Sequence, residues 1–342
     1  MKEKRKFSYY NFDRLYSFAA FIMVVVGARG LGKTFGAKRK CITRALKTGE
    51  QFIYLRRHKT DMKKARATFF DDIASFYPDW DFRVMGDEAQ AAPIATRDDK
   101  KRAWQIIGHF AVLSVAQSIK SVSFERVTTI IFDEFIIERG HVQYLQGEVT
   151  TLLNFYNTVD RGQDKTRLLM LANSVTIMNP YFHEWNVSPS HGEWQLKNDG
   201  ALIVNFAKSD AYEAEVLATR FSKFIAGTEY AQYAAGNTFL DNNDNLLRKK
   251  PASATYLFTL ETKGGTYSIW HTYGNGEYFA QAKRPKVEDL CVMDSARQRE
   301  GATLLQFSDW QLKVLRASFK RANLYFDTPK ARNAMVEVFD RK

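Results

Sequence analysis

Apolar and polar positions fall into two regimes along the chain. In roughly the first two hundred residues, short unbroken apolar runs alternate with longer stretches carrying apolar residues at helical spacing. Residues 21–26 (FIMVVV) are apolar throughout, which predicts a strand buried on both faces, and residues 33–46 predict the helix that follows. "QFIYLRR" (51–57) predicts a second strand and residues 61–76 a second helix. "VTTIIFDEF" (127–135) and "TRLLMLANS" (166–174) have strand length, and "GEVTTLLNFYNTVDR" between them has helical spacing. Strands alternating with helices predict an α/β fold with a parallel sheet covered on both faces. Residues 82–114 read instead as a hairpin inserted before the third core strand.

Near residue 205 the pattern changes. "SDAYEAEVLATRFSKFIAGT" reads as one helix ending near Gly227. From Ser253, three aromatic-rich runs separated by "KGG" and "YGNG" predict an antiparallel meander, and helical stretches near 308–324 and 328–340 follow. The expected division is an α/β domain over 1–205, a helical linker over 206–240 and a smaller α+β domain over 241–342. A length of 342 residues fits two domains better than one, and an apolar content of 45% is enough to pack both. The most apolar run, Phe18 to Gly27, is too short to span a bilayer, so no membrane role is expected and the chain reads as cytosolic. Cys41 and Cys291 have neither a CxxC partner nor a nearby His cluster, which argues against structural zinc and disulfides.

The turn after the first strand carries the first chemistry. Gly27, Ala28, Arg29, Gly30, Leu31, Gly32, Lys33 and Thr34 form a complete GxxxxGK[ST] string between a strand and a helix. Backbone N–H groups of such a loop, with the helix N-terminus, converge on phosphate oxygens. Lys33 is then the cation for the β- and γ-phosphates of ATP, and Thr34 offers its hydroxyl to Mg²⁺. The strand 127–133 ends in Asp133 and Glu134. Asp133 is the expected second metal contact, and Glu134 beside it would polarise a water, an arrangement suited to hydrolases that spend ATP on mechanical work. Asn173, at the tip of the strand 166–172, is a candidate γ-phosphate sensor. Arg161, Lys165 and Arg167 precede that strand, and any of them is placed to act as an arginine finger on a neighbouring subunit.

Charge adds a candidate partner. The net charge is +12, and between Lys38 and Arg66 eleven Lys/Arg stand against only Glu50 and Asp61. Such a local excess suits a polyanion, so Lys38, Lys40, Lys63 and Lys64 are DNA-binding candidates. Two solvated helix faces flanking a buried strand explain the same residues equally well.

The chain resembles the DNA-packaging ATPases of phi29-like tailed phages, small relatives of the large terminase motors. The resemblance rests on "GARGLGKT", "GEQFIYLRR", "TTIIFDEF", "NTVDR", "ANSVTIMNPYF" and "GTEY", and covers most of the first 230 residues. It implies a P-loop NTPase of the additional-strand, catalytic-glutamate type, acting as a homo-oligomeric ring, usually five-fold, on the portal of an empty capsid. Double-stranded DNA would be driven inward at the cost of ATP, in the host cytoplasm and transiently on the procapsid vertex. In part of the family a structural RNA mediates docking. The resemblance implies further that Arg161 is the arginine finger and that Lys59 lies near the subunit interface. It also implies a C-terminal domain of degenerate RNase H type. A working nuclease of that type needs converging carboxylates, whereas Asp241, Asp244, Glu261, Glu277, Glu288 and Asp289 are scattered around turns. Two other readings stay open on the residues alone: a helicase-like nucleic-acid translocase, and a structural protein that uses ATP as a switch.

Overall fold

The computed structural model describes residues 10–119, 124–137, 144–145, 147–174, 179–187, 192–225, 228, 247–306, 308–320 and 323–340. Two compact units emerge from the contacts: residues 1–175 with 189–240, and residues 176–188 with 241–342.

The first unit is built on a nine-stranded mixed sheet. After a short helix α1 (Phe12–Ser17), the elements run β1 (Ile22–Gly27), α2 (Lys33–Thr48), β2 (Gln51–Arg56), α3 (Lys59–Ala67), β3 (Trp80–Met85), β4 (Glu88–Pro93), β5 (Gln105–Val112), β6 (Val127–Asp133), α4 (Glu148–Asp160) and β7 (Arg167–Asn173). α5 (Pro180–Glu184) belongs to the second unit. The first unit resumes with β8 (Trp194–Lys197), β9 (Leu202–Phe206), α6 (Asp210–Leu217) and α7 (Arg220–Ile225). The strand order is β3-β4-β5-β2-β6-β7-β1-β9-β8. Its six central strands are mutually parallel, and one antiparallel pairing or hairpin closes each edge. Every residue of β1 is buried, as its unbroken apolar run requires.

Three expectations need correction. Residues 105–112 are not an arm of the inserted hairpin: they form β5, a core strand parallel to β2, and only β3 and β4 make the hairpin. Gly108 permits that docking, because a Cβ there would meet the Phe52 ring at 2.6 Å. The helix expected to reach residue 76 ends at Ala67, where Phe69, Phe70 and Ile73 turn into the core. The single helix expected over 209–228 breaks after Leu217, and the Thr219 hydroxyl accepts from the Ser222 N–H to start α7. The remainder of the expected linker, Thr228 apart, lies outside the described residues, as do Asp241 and Asp244.

The second unit carries β10 (Thr255–Thr262), β11 (Gly265–Thr272), β12 (Glu277–Gln281), β13 (Leu290–Val292), β14 (Ala302–Leu304), α8 (Trp310–Lys320), β15 (Leu324–Phe326) and α9 (Pro329–Asp340). β10, β11 and β12 form the antiparallel meander. β13 adds parallel to β10, β14 parallel to β13, and β15 parallel to β12. These last three strands have three residues each, too few for an alternation to be visible beforehand. Phe258, Leu260, Ile269, Ala280 and Phe326 pack with Leu312, Leu315, Met335 and Val338 of the two helices. Among the described residues no helix is long and apolar enough to cross a membrane.

Candidate nucleotide and hydrolysis site

The site lies at the carboxyl ends of β1, β6 and β7, which are the middle strands of the parallel sheet. Gly27 ends β1 and the next turn leads into α2. Gly30 and Gly32 take left-handed backbone angles (φ 88° and 75°), the second as N-cap of α2. A side chain at Gly30 would also strike the Tyr212 hydroxyl at 2.5 Å. That hydroxyl, on α6, donates to the Arg29 carbonyl at 2.5 Å and braces the outer side of the loop. Ala28 and Leu31 are buried beneath it. The loop is thus anchored in the core while Arg29 and Gly30 stay exposed.

A cleft is lined by Arg29, Gly30, Gly32, Lys33, Thr34, Phe35, Asp133, Glu134, Ala172 and Asn173. Every residue expected to hold the γ-phosphate end of a nucleotide is therefore on one wall or another. Lys33 donates to the carbonyls of Gly27 (2.9 Å) and Ala28 (2.7 Å) and to Asn173 Oδ1 (3.3 Å). Burial pushes its pKa down to about 8, with Asp133 opposing the fall. Across the cleft the Thr34 hydroxyl meets the Asp133 carboxylate at 3.0 and 3.2 Å. A hydroxyl and a carboxylate oxygen so paired are hard oxygen donors of the kind Mg²⁺ takes, and the donor set fits that ion.

Three arginine and tyrosine contacts, none anticipated, hold the two acids. Tyr54 Oη donates to Asp133 Oδ2 at 2.6 Å, and Arg56 reaches the same oxygen at 3.3 Å. Burial first, then the adjoining Asp133 charge, raises the Tyr54 phenol well above its ordinary value, so it remains a donor. Arg56 also pairs with Glu134 Oε2. Glu134 is the first residue past β6, its side chain 63% exposed and its backbone left-handed at φ 57°. That conformation costs about 1 kcal/mol or more for a non-glycine residue. Its surroundings impose it: Phe135 N–H donates to Leu171 O at 3.2 Å, while Arg57 donates to the carbonyls of Glu134 (3.2 Å) and Phe135 (2.5 Å). "LRR" at the end of β2 was the available signal, since alternation sends Arg56 and Arg57 to opposite faces.

The remaining candidates separate. Arg161 is exposed at the C-cap of α4 in a left-handed conformation (φ 53°), away from the cleft lining. Lys59 opens α3 and is exposed, as are Lys63 and Lys64. Lys38 is a correction: it is 5% exposed, donates to Phe69 O (2.7 Å) and Asp72 (2.5 Å), and caps the Phe69 ring. A cation so enclosed is withdrawn from the basic surface. Lys40 is half-buried, paired with Asp13 at 2.9 Å and lying over the Tyr16 ring.

The sequence model of a family described as podovirus DNA encapsidation protein (Gp16) matches residues 4–342. The DNA packaging protein of Bacillus phage phi29 is 32% identical over 334 residues, 97% of each chain. Among solved structures, the phi29 viral genome packaging motor assembly superposes with a TM-score of 0.71 at 30% identity, covering 97% of this chain and 98% of the other. The N-terminal domain of the phi29 DNA packaging ATPase gives a TM-score of 0.52 at 34% identity, over 59% of this chain and 97% of that domain.

Proposed function

The chain belongs to the podovirus DNA encapsidation protein family, and from that premise we propose that it is the ATP-hydrolysing subunit of a ring motor. The motor drives viral double-stranded DNA through the portal into an empty capsid. Its ring is a homo-oligomer, five-fold as the family resemblance implies, that works on the procapsid vertex in the host cytoplasm; a structural RNA mediates docking in part of the family.

One observation carries the reading: the Thr34 hydroxyl and Asp133 carboxylate meet in a cleft that also holds Lys33, Asn173 and Glu134. Lys33 presents its ammonium to the β- and γ-phosphates of ATP, and the loop from Gly27 to Gly32 supplies backbone N–H donors. Thr34 and Asp133 would hold Mg²⁺, which when bound would neutralise developing phosphate charge. Tyr54 and Arg56 orient Asp133. Glu134 accepts a proton from the attacking water once its carboxylate leaves Arg56, and Asn173 reads the γ-phosphate through the Lys33 contact. Arg161 stabilises the transition state on the neighbouring subunit, a contribution of about 10³–10⁵-fold in other NTPases. The position of β7 between β1 and β6 supports the additional-strand, catalytic-glutamate subtype.

For the C-terminal unit we propose a degenerate RNase H-type fold used for docking or DNA contact rather than cleavage. The meander with two strands added parallel to its first supports the fold. Three of its acids among the described residues are held by arginines: Glu261 by Arg297 and Arg299, Glu277 by Arg248, Glu288 by Arg284. ATP turnover with and without long duplex DNA tests the whole. A packaging motor hydrolyses ATP faster on long duplex. A helicase-like translocase responds to single strands instead, and a nucleotide switch turns over slowly in both conditions.

A further inference from the structure

The Arg57 guanidinium binds two things at once. Its Nε and Nη2 donate to the Glu148 carboxylate at 2.8–3.0 Å, and its Nη1 and Nη2 donate to the consecutive carbonyls of Glu134 and Phe135. Both side chains are buried, with 4% and 0% exposure. Glu148 is the first residue of α4, and its Oε2, which also accepts from Arg57 Nε, takes the Leu145 N–H at 2.7 Å, fixing the approach to the helix. A two-point guanidinium–carboxylate pair of this kind resists bending as well as stretching.

At its other end α4 is fixed as firmly. The Asp160 carboxylate accepts the N–H groups of Asp164 (2.9 Å), Lys165 (3.0 Å) and Thr166 (2.9 Å). Burial opposes its ionisation, but those N–H groups outweigh it and hold the carboxyl below its ordinary value. The turn that begins with Arg161 is therefore tied to the helix and not to a loose loop. Between the two ties, Val149, Leu152, Phe155 and Val159 bury one continuous face of a helix about 20 Å long.

We propose that Arg57 and Glu148 are positioning residues that join the Glu134 turn to α4, so that the turn and the Arg161 offered to a neighbour move as one body. The hydrolysis state of one subunit would then set the placement of its arginine in the next subunit's site. This rests on the roles given above to Glu134 and Arg161, and the test separates the two layers.

Arg161→Ala subunits are mixed with Glu134→Gln subunits, and co-assembly is verified by native mass measurement. The second partner donates an intact arginine to sites whose own Glu134 is intact, so turnover is partly restored. Absence of this rescue would overturn the trans role of Arg161 and the proposal with it. The donor is then replaced by Glu134→Gln/Glu148→Gln. Its own glutamate is already disabled, so any further effect reports on donation alone. The proposal expects the rescue to fall about tenfold or more, as misplacement of a reacting group by an ångström does. Donor nucleotide affinity and co-assembly should be unchanged. Full rescue by this donor would overturn the proposal while leaving the trans role of Arg161 standing. Because Glu148→Gln strands a buried guanidinium, a second donor carrying Glu134→Gln with Arg57→Met and Glu148→Met removes both charges. It is expected to lose donation equally, and full rescue by it would be equally contrary.

Discussion

The role proposed for Lys33 predicts a pH dependence of nucleotide binding. Burial lowers the ammonium from 10.5 to about 8, which corresponds to about 3 kcal/mol against the charged form in the cleft. Between pH 8 and 10.5 the unfolded chain holds this proton and the folded chain does not. Folding stability from this group therefore rises with pH across the window, and the burial penalty is present in full below it. Triphosphate oxygens reverse the preference, because anions beside an ammonium favour its charged form. Nucleotide binding above pH 8 must then take up a proton, and affinity must fall as pH rises, by up to about tenfold per pH unit. Phosphate ionisation, with its second pKa at about 6, is complete in that range and does not interfere. Titration calorimetry of Mg-ATP at pH 8.5, in two buffers of different ionisation enthalpy, counts the protons. The wild-type chain should take up about three-quarters of a proton, and Lys33→Met, which binds more weakly, none. Zero uptake by the wild type, or an unchanged pH slope in Lys33→Met, would refute the reasoning.

Other consequences follow from the same contacts. Glu134→Gln should bind Mg-ATP as well as the wild type while hydrolysis falls by about 10²–10⁴-fold; parallel loss of both would make Glu134 a structural residue. Tyr54→Phe removes the 2.6 Å donor to Asp133, and a Mg²⁺ titration of turnover should show a weakening of about tenfold. For duplex DNA, Lys63→Ser with Lys64→Ser should reduce the slope of log affinity against log salt by about 2, whereas Lys38→Met should leave it unaltered. An unchanged slope in the double variant would move the DNA surface off α3.

Legibility in the sequence followed the range of the interaction. The strand, glycine turn and helix around Gly27–Thr34 are contiguous, so their geometry was readable directly. Thr34 and Asp133 are 99 residues apart, yet one opens the helix after a parallel strand and the other ends a parallel strand, and an alternating strand–helix pattern brings such positions together at one end of the sheet. No local rule reveals that Tyr54 and Arg56 would close on Asp133, since that depends on β2 lying beside β6. Glu148 reads as an ordinary acid in a first helical turn; only the fold shows it buried against Arg57. Lys38 was misread through charge alone. Helical spacing puts it on the face of α2 that buries Ala37, Cys41, Ile42 and Ala45, and that periodic signal was present.

If the proposed role of Glu134 holds, its hydrolysis of ATP moves duplex DNA into a capsid. The direct measurement mixes the chain with empty portal-bearing capsids, Mg-ATP and genome-length duplex, then scores DNA protected from added nuclease. The wild type should protect full-length DNA, and Glu134→Gln at equal nucleotide occupancy should protect none. Brisk ATP turnover by the wild type without protected DNA would contradict the account, as would protection by Glu134→Gln equal to the wild type.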